Sequence, residues 1–189
     1  MSKKIILASA SPRRKQLLEQ IGLVFEVIPS DVDEDNLIHQ DPLHNIEALA
    51  LHKAQDVAKK IHEGIIIAAD TRILINGDAI GKPVDRANAQ NMLLSLSGKT
   101  HKVITGVAIL DAHTGQKETW VETTLVTFCE LLLDEIVAYL DTGEYEGKAG
   151  AYGIQGRAAV FVERIEGCYF NVVGLPLSKL MQKLRKFNQ

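Results

Sequence analysis

The sequence predicts a mixed α/β fold: a central mixed sheet with flanking helices, arranged as two lobes around a cleft. Two patterns predict it. In the first half, short apolar strands alternate with helical segments, which is typical of parallel strands joined by helices. In the second half, turns separate consecutive strands, which is typical of antiparallel hairpins. No internal repeat or low-complexity linker divides the 189 residues, so we expect one domain over residues 1–189.

Composition and charge exclude several classes of function. The net charge of −3 gives no general affinity for nucleic acid or an anionic membrane, so any anion site must be local. Cys129 and Cys168 lie far apart without metal-ligand spacing, and we expect both to be reduced and buried. We expect no signal peptide, because only four apolar residues follow Lys3 and Lys4, and no apolar run reaches the ~18 residues of a membrane span. These features predict a cytoplasmic protein.

The first element is a strand that leads directly into a helix. The apolar run Ile5–Ala8 predicts a short buried strand, and Pro12 suits the first turn of a helix capped by Ser11. Arg13 and Arg14 follow at once. A helix start with hydroxyl groups, exposed N–H groups and two guanidinium groups favours phosphate binding, and the alternative is a capped helix with solvated arginines.

The segments after this helix predict a strand, an acidic loop and a long helix. The helix ends before Gly22, and Val24–Ile28 alternates as a strand does. Residues 31–35 carry four carboxylates on a loop, which are either solvated or able to bind a divalent cation. Apolar residues recur at helical spacing over Leu43–His62, and Lys53 lies near the middle of this helix.

A continuous apolar run, Ile65–Ala69, then breaks at Asp70. A strand that is apolar on both faces is typically central in a covered sheet, and its open end is where ligands bind in α/β folds. The sequence therefore predicts that Asp70 ends a buried strand as a functional carboxylate. Residues 76–78, Asn-Gly-Asp, predict a hairpin turn, and the returning chain holds Lys82 in a tight bend.

The second half predicts strands and helices around a glycine-rich loop. Further helices are predicted over Asn88–Leu96, Leu132–Tyr139 and Leu175–Phe187, strands over Val103–Leu110 and Glu118–Phe128, and a hairpin of Ala159–Arg164 with Cys168–Val173. The stretch Ala149–Gly156 is too rich in glycine for regular structure. Its aromatic and β-branched residues favour an ordered loop that approaches a ligand, with Tyr152 and Gln155 as its sizeable polar side chains, over a flexible linker.

Eight short segments, taken together and in this order, form a far more specific pattern than any one of them alone. They are ASASPRR, SDVDE, LALHKA, AADT, GKPVD, LSGKTHKVITGV, KAGAYGIQG and VVGLPL. Over nearly the whole chain they resemble the Maf family of nucleoside triphosphate pyrophosphatases. The resemblance implies a fold related to the inosine triphosphatase family and a homodimer. It implies hydrolysis of a nucleoside triphosphate between its α and β phosphates, with a divalent metal cation, Mg²⁺ or Mn²⁺, as cofactor.

The same resemblance implies a role for each candidate residue. The phosphates would be contacted by Ser9, Arg13, Arg14, Lys53 and Lys82. Glu34 and Asp70 would be the catalytic, metal-side carboxylates, with Asp70 as the proton acceptor. Substrate selection would lie with Arg13, Thr71 and Gln155, as in the branch that acts on dTTP and UTP.

The expected function is that of a nucleotide diphosphatase, which converts dTTP, UTP or modified pyrimidine nucleotides to the monophosphate and pyrophosphate. The amide of Gln155 offers a donor and an acceptor to the O4/N3 edge of uracil or thymine. The alternative is a non-catalytic, nucleotide-sensing regulator of septum formation and cell division, from which the family takes its name. The presence of both carboxylates favours the enzyme, because a sensor needs no acid that activates water.

Overall fold

The computed structural model describes residues 3–33 and 41–187 of the chain. Its strands are β1 (Ile5–Leu7), β2 (Glu26–Val27), β3 (Ile65–Ile75), β4 (Asp78–Ile80), β5 (Thr100–Asp111), β6 (Lys117–Phe128) and β7 (Val162–Glu166). Its α-helices are α1 (Pro12–Gln20), α2 (Pro42–Ala58), α3 (Arg86–Leu96), α4 (Leu133–Leu140), α5 (Tyr169–Val173) and α6 (Leu177–Leu184). Short 3₁₀ turns cover Ala149–Ala151, Arg157–Phe161 and Arg185–Phe187.

The strands form one seven-stranded sheet in the order β2-β1-β3-β5-β6-β7, with β4 paired to β3. Strand β1 is parallel to both neighbours, with Ile6 opposite Glu26 on one side and Ile66 on the other. The pairs β3–β4 and β6–β7 are antiparallel. This confirms the predicted mixed sheet with flanking helices.

The chain divides into two compact units. Unit 1 contains residues 1–70, 105–122 and 174–189, and unit 2 contains residues 71–104 and 123–173. Strands β3, β5 and β6 each pass from one unit to the other along the chain. The prediction of a single domain stays a prediction.

Helix α2 covers one face of the sheet in unit 1. Small and β-branched residues make this contact, and the cluster comprises Ile6, Ala8, Ala50, Ala54, Val57, Ile66, Ala68, Ala108 and Leu110. A Cβ atom added to Gly106 would lie 2.2 Å from the carbonyl oxygen of Ile46. Glycine at this place in β5 therefore allows the helix backbone to lie directly on the sheet, which brings α2 close to β3.

Most predicted elements are present, with shifted ends. Strand β2 has two residues rather than five, and α2 ends at Ala58 rather than His62. Residues Asn76 and Gly77 have φ values of 54° and 96°, as the predicted hairpin turn requires. Cys129 and Cys168 are free thiols, as predicted, but they are only partly buried, so the prediction that both are buried was wrong.

The predicted hairpin of Ala159–Arg164 with Cys168–Val173 was wrong. Strand β7 pairs with β6, and Tyr169–Val173 is helical. The backbone N–H of Cys168 donates to Thr124 Oγ1 at 3.1 Å, and Thr124 Oγ1 donates to the Cys168 carbonyl oxygen at 3.0 Å. A side chain of β6 therefore binds both backbone groups of Cys168, the residue at which the returning strand was predicted to begin.

No helix in the described part of the chain combines the length and the apolar character that crossing a membrane requires.

Candidate active site

The strand-to-helix corner of unit 1 has the predicted form. Ser11 is the N-cap residue of α1 and Pro12 occupies its first turn. The Ser11 side chain makes no capping bond. Instead the Ser11 backbone N–H donates to Ser9 Oγ at 3.2 Å, so the hydroxyl of Ser9 orders the turn.

The buried guanidinium of Arg14 holds this corner in place. Arg14 is 8% exposed, and its Nε donates to the carbonyl oxygen of Gly174 at 2.9 Å. Its Nη1 donates to Ser9 Oγ at 3.1 Å. Ser9 itself is 9% exposed, so a charged side chain and a hydroxyl are fixed together beneath the helix start. The predicted contact of both groups with phosphate stays a prediction.

Lys53 and Asp70 form a buried ion pair in unit 1. Lys53 Nζ lies 2.8 Å from Asp70 Oδ1, and their side chains are 9% and 10% exposed. Lys53 projects from the face of α2 that packs on the sheet, next to the fully buried Ala54. Lysines at such helix positions are usually solvated, but Lys53 is buried and paired. Removing either partner of a buried pair leaves an uncompensated charge.

Asp70 lies inside a strand, which corrects the prediction that it ends one. Strand β3 continues without a break from Ile65 to Ile75. The apolar run stops at Asp70 although Asp70 is itself the last of six consecutive buried residues, and the half-buried residues Thr71 and Arg72 follow it. The carboxylate is therefore a buried, paired charge within a continuous strand and not the end of one.

The predicted metal site is only partly within the described residues. Glu34 lies outside them, and within residues 3–33 and 41–187 no group of three or more His, Cys, Asp or Glu side chains could hold a metal ion. Asp70 is thus the described member of the predicted pair. Mg²⁺ is commonly bound through one or two carboxylates together with substrate phosphates, so an oxygen donor set containing Asp70 fits such an ion.

Unit 2 holds the predicted residues Thr71, Lys82 and Gln155. Thr71 is half-buried, and Lys82 and Gln155 are exposed. The Gly150 backbone N–H donates to the Gly81 carbonyl oxygen at 2.9 Å, so the glycine-rich loop is tied to the residue before Lys82.

The glycine-rich loop packs closely on its own unit. Gly150 has φ 66°, and a Cβ atom there would lie 2.5 Å from Ile73 Cδ1, so no other residue fits without displacing β3 side chains. Tyr152 is 6% exposed, and its hydroxyl lies 2.8 Å from Nε2 of His101. Both contacts support the ordered-loop interpretation over the flexible linker.

His101 is the residue that sequence reasoning missed. It is 1% exposed, and burial lowers its pKa to about 4, so the imidazole is neutral near pH 7. Burial also raises the pKa of the Tyr152 hydroxyl. His101 stands in a segment that carries the family resemblance, but no local pattern links it to a tyrosine 51 positions later.

Comparison with known proteins identifies the relatives of this chain. A family model described as Maf-like protein matches residues 4–187. A dTTP/UTP pyrophosphatase of Ruminiclostridium cellulolyticum is 49% identical over 188 residues, which cover 99% of this chain and 97% of that protein. A protein of the same name from Halalkalibacterium halodurans is 51% identical over 183 residues, which cover 97% and 95%.

Similarity to solved structures is weaker. The Staphylococcus aureus Ham1 protein aligns with a TM-score of 0.44 at 16% identity, over 67% of this chain and 72% of that one. A likeness at this level supports no conclusion, and the relation to the inosine triphosphatase fold stays a prediction.

Proposed function

The chain belongs to the Maf family, and from this premise we propose that it is a nucleoside triphosphate pyrophosphatase for dTTP and UTP. The observation that carries the proposal is the buried pair of Lys53 and Asp70, with Nζ and Oδ1 2.8 Å apart. A carboxylate held rigidly beside an ammonium group, in the same unit as the Ser9–Arg14 corner, offers a proton acceptor and cations for phosphoryl chemistry.

Asp70 accepts the proton of the attacking water in the proposed reaction. The water oxygen forms a bond to the α-phosphorus, and the bond from that phosphorus to the α–β bridging oxygen breaks. Pyrophosphate leaves and the nucleoside monophosphate remains. Lys53 fixes the Asp70 carboxylate, so the base is oriented before substrate arrives.

Cationic and hydroxyl groups bind the phosphates in this proposal. Ser9, Arg13 and Arg14 act from the start of α1, where N–H groups and the helix dipole favour anions. Lys53 and Lys82 add positive charge, which compensates for the net charge of −3 over the whole chain.

We also propose a divalent cation, Mg²⁺ or Mn²⁺, held by Asp70 and by Glu34, the family's second carboxylate. Such an ion, when bound, neutralises charge on the phosphates and lowers the pKa of water. Activity should be lost in a chelator and return with either metal. Full turnover in the chelator would contradict the metal assignment.

The base of the nucleotide is selected by Gln155, with Arg13 and Thr71. An amide side chain can donate to O4 and accept from N3–H of uracil or thymine, and a 5-methyl group does not change that edge. We propose that this contact accounts for the acceptance of both bases, and that the active protein is a cytoplasmic homodimer.

The test is a substrate panel with purified full-length protein. It contains dTTP, UTP, CTP, ATP, GTP and 5-modified pyrimidine triphosphates, and both products are quantified. We expect monophosphate and pyrophosphate in equal amounts, with dTTP and UTP preferred. Release of orthophosphate, or binding without turnover, would overturn the proposal, and the second result would favour the regulator. Light scattering on the same sample checks the dimer.

A further inference from the structure

The loop that carries Gln155 is anchored by one buried hydrogen bond. Tyr152 lies three residues before Gln155, and its hydroxyl is 2.8 Å from Nε2 of His101. Tyr152 and His101 are 6% and 1% exposed, whereas Gln155 is exposed. The buried hydroxyl of Tyr152 and the exposed amide of Gln155 are thus only three residues apart.

The surroundings of this bond are aromatic. The ring of Phe128 stands edge-on to both partners, with centroids 5.0 Å from His101 and 4.8 Å from Tyr152. His101 Nδ1 is buried and has no hydrogen-bond partner among the described residues. Burying an unpaired polar atom costs free energy, and an apolar pair of similar size would avoid that cost.

The hydrogen bond between His101 and Tyr152 therefore gives the loop a fixed direction that apolar packing alone would not give. Apolar contacts fill space without fixing direction, whereas a hydrogen bond holds the Tyr152 hydroxyl at one distance and one angle. It ties the loop to β5, which carries His101.

The other side of Gln155 is held as well. The Arg157 backbone N–H donates to Glu144 Oε2 at 2.9 Å. Before Gln155 in the chain, the Gly150 N–H donates to the Gly81 carbonyl oxygen at 2.9 Å. Gln155 is thus an exposed side chain on a short span fixed at both ends, which is how a recognition group is held in one position.

We propose that the His101–Tyr152 pair positions the Gln155 loop and thereby sets which nucleobase the enzyme accepts. The inference rests on the proposed function and deepens it. Neither residue touches substrate in this proposal, so both are positioning residues that act through Gln155. Their loss should weaken base discrimination and leave the chemical step, which lies with Asp70, unchanged.

The test uses Tyr152→Phe, which removes one oxygen atom and keeps the ring against Phe128. The preference is measured as kcat/KM for dTTP divided by kcat/KM for CTP. We expect it to fall by about 3- to 10-fold, the usual worth of one net hydrogen bond. The change should appear in KM for dTTP, with kcat within about twofold of wild type.

Three further variants separate positioning from stability. In a Gln155→Ala background, Tyr152→Phe should change the preference no further, because the group through which it acts is absent. His101→Gln places an amide near Nε2 and should retain more of the preference than His101→Leu. Tyr169→Phe, at an exposed tyrosine of the same unit, is the matched control and should behave as wild type.

The outcomes distinguish this inference from the proposed function. A lowered melting temperature in Tyr152→Phe with an unchanged preference would overturn the inference and leave the pair structural. An equal loss in the Gln155→Ala background would do the same. If the wild type releases no pyrophosphate, the proposed function fails. The preference is then measured as Kd for CTP divided by Kd for dTTP, and a ratio unaffected by Tyr152→Phe still overturns the inference.

Discussion

The two units hold their candidate residues in different ways. In unit 1 four of the candidate groups are held side chain to side chain and are almost fully buried: Arg14 bonds Ser9, and Lys53 bonds Asp70. In unit 2 Lys82 and Gln155 are exposed, and the backbone of the glycine-rich loop is tied to the residue before Lys82 through the Gly150 N–H and the Gly81 carbonyl oxygen.

This difference corresponds to the two tasks of the proposed enzyme. A buried, paired group is oriented before substrate binds, and low local dielectric strengthens its action on developing charge. An exposed side chain on an anchored loop can bind a nucleobase and then release it. Substitutions of the buried, paired groups of unit 1 should therefore affect stability and turnover together, and substitutions of the exposed Lys82 and Gln155 should affect substrate affinity and selection.

The largest expected effect is that of Asp70→Asn. It keeps the shape of the side chain but removes the charge and the basic oxygen, so kcat should fall by about 10²–10⁴, the usual worth of general base catalysis. Triphosphate binding should persist, because one negative charge near the phosphates is gone. Steady-state kinetics and direct nucleotide titration measure both.

Gln155→Ala is the control from unit 2, since it should mainly change selection among bases. If Asp70→Asn hydrolysed dTTP at the normal rate, Asp70 would not be the base. Glu34 or another acid of residues 31–35 would then have to be tested in its place, and the contrast between the units would lose its basis.

Arg14→Ala should lower the free energy of unfolding by about 1–3 kcal/mol, because the buried Gly174 carbonyl oxygen loses its charged donor. Denaturant titration measures the change. Lys15→Ala on the same helix is the control, since Lys15 is exposed and its ion pair with Glu19 spans 3.7 Å. That variant should stay within about 0.5 kcal/mol of wild type. An Arg14→Ala protein of normal stability would show that the corner does not depend on this contact.

Lys82→Ala should lower kcat/KM by a factor of at least about 10, because one charge-assisted hydrogen bond is worth roughly 1.5–3 kcal/mol. The same loss is expected for Arg13→Ala. The thermal midpoint of Lys82→Ala should not change, because Lys82 is exposed. Arg164→Ala, an exposed cation on β7, is the control for net charge. A collapse of stability in Lys82→Ala would make this lysine structural and remove the distinction between the units.

Sequence reasoning predicted the elements whose signals are local. The apolar runs gave β1 and β3, the Asn-Gly turn gave the β3–β4 hairpin, and helical spacing gave α2 and α3. It failed where contacts between residues far apart in the sequence accompany the local structure. Thr124 of β6 binds the backbone of Cys168, and residues 169–173 form a helix and not the returning strand.

The candidate site shows the same division. Family motifs identified Lys53 and Asp70, and their pairing is visible only in three dimensions because 17 positions separate them. The role of Arg14 in binding the Gly174 carbonyl oxygen spans 160 positions. Neither periodicity nor spacing contains such information, since both describe one element at a time.

The smallest expected effect is a pH dependence that belongs to unit 2. Burial holds the pKa of His101 at about 4 in the folded protein, against 6.5 for an ordinary histidine. Between these values the unfolded chain binds more protons than the folded one, so the free energy of unfolding falls as pH decreases through this window. From pH 6.5 to 5.5 the loss should be about 1 kcal/mol.

Carboxyl groups with lowered pKa, such as Asp111 and Glu118, lose their contribution to the free energy of unfolding only below about pH 4.5. Denaturant titrations at both pH values measure the loss, and His101→Gln, which cannot titrate, should lack it. An identical loss in both proteins would place the titrating group elsewhere and leave the buried imidazole without a part in stability.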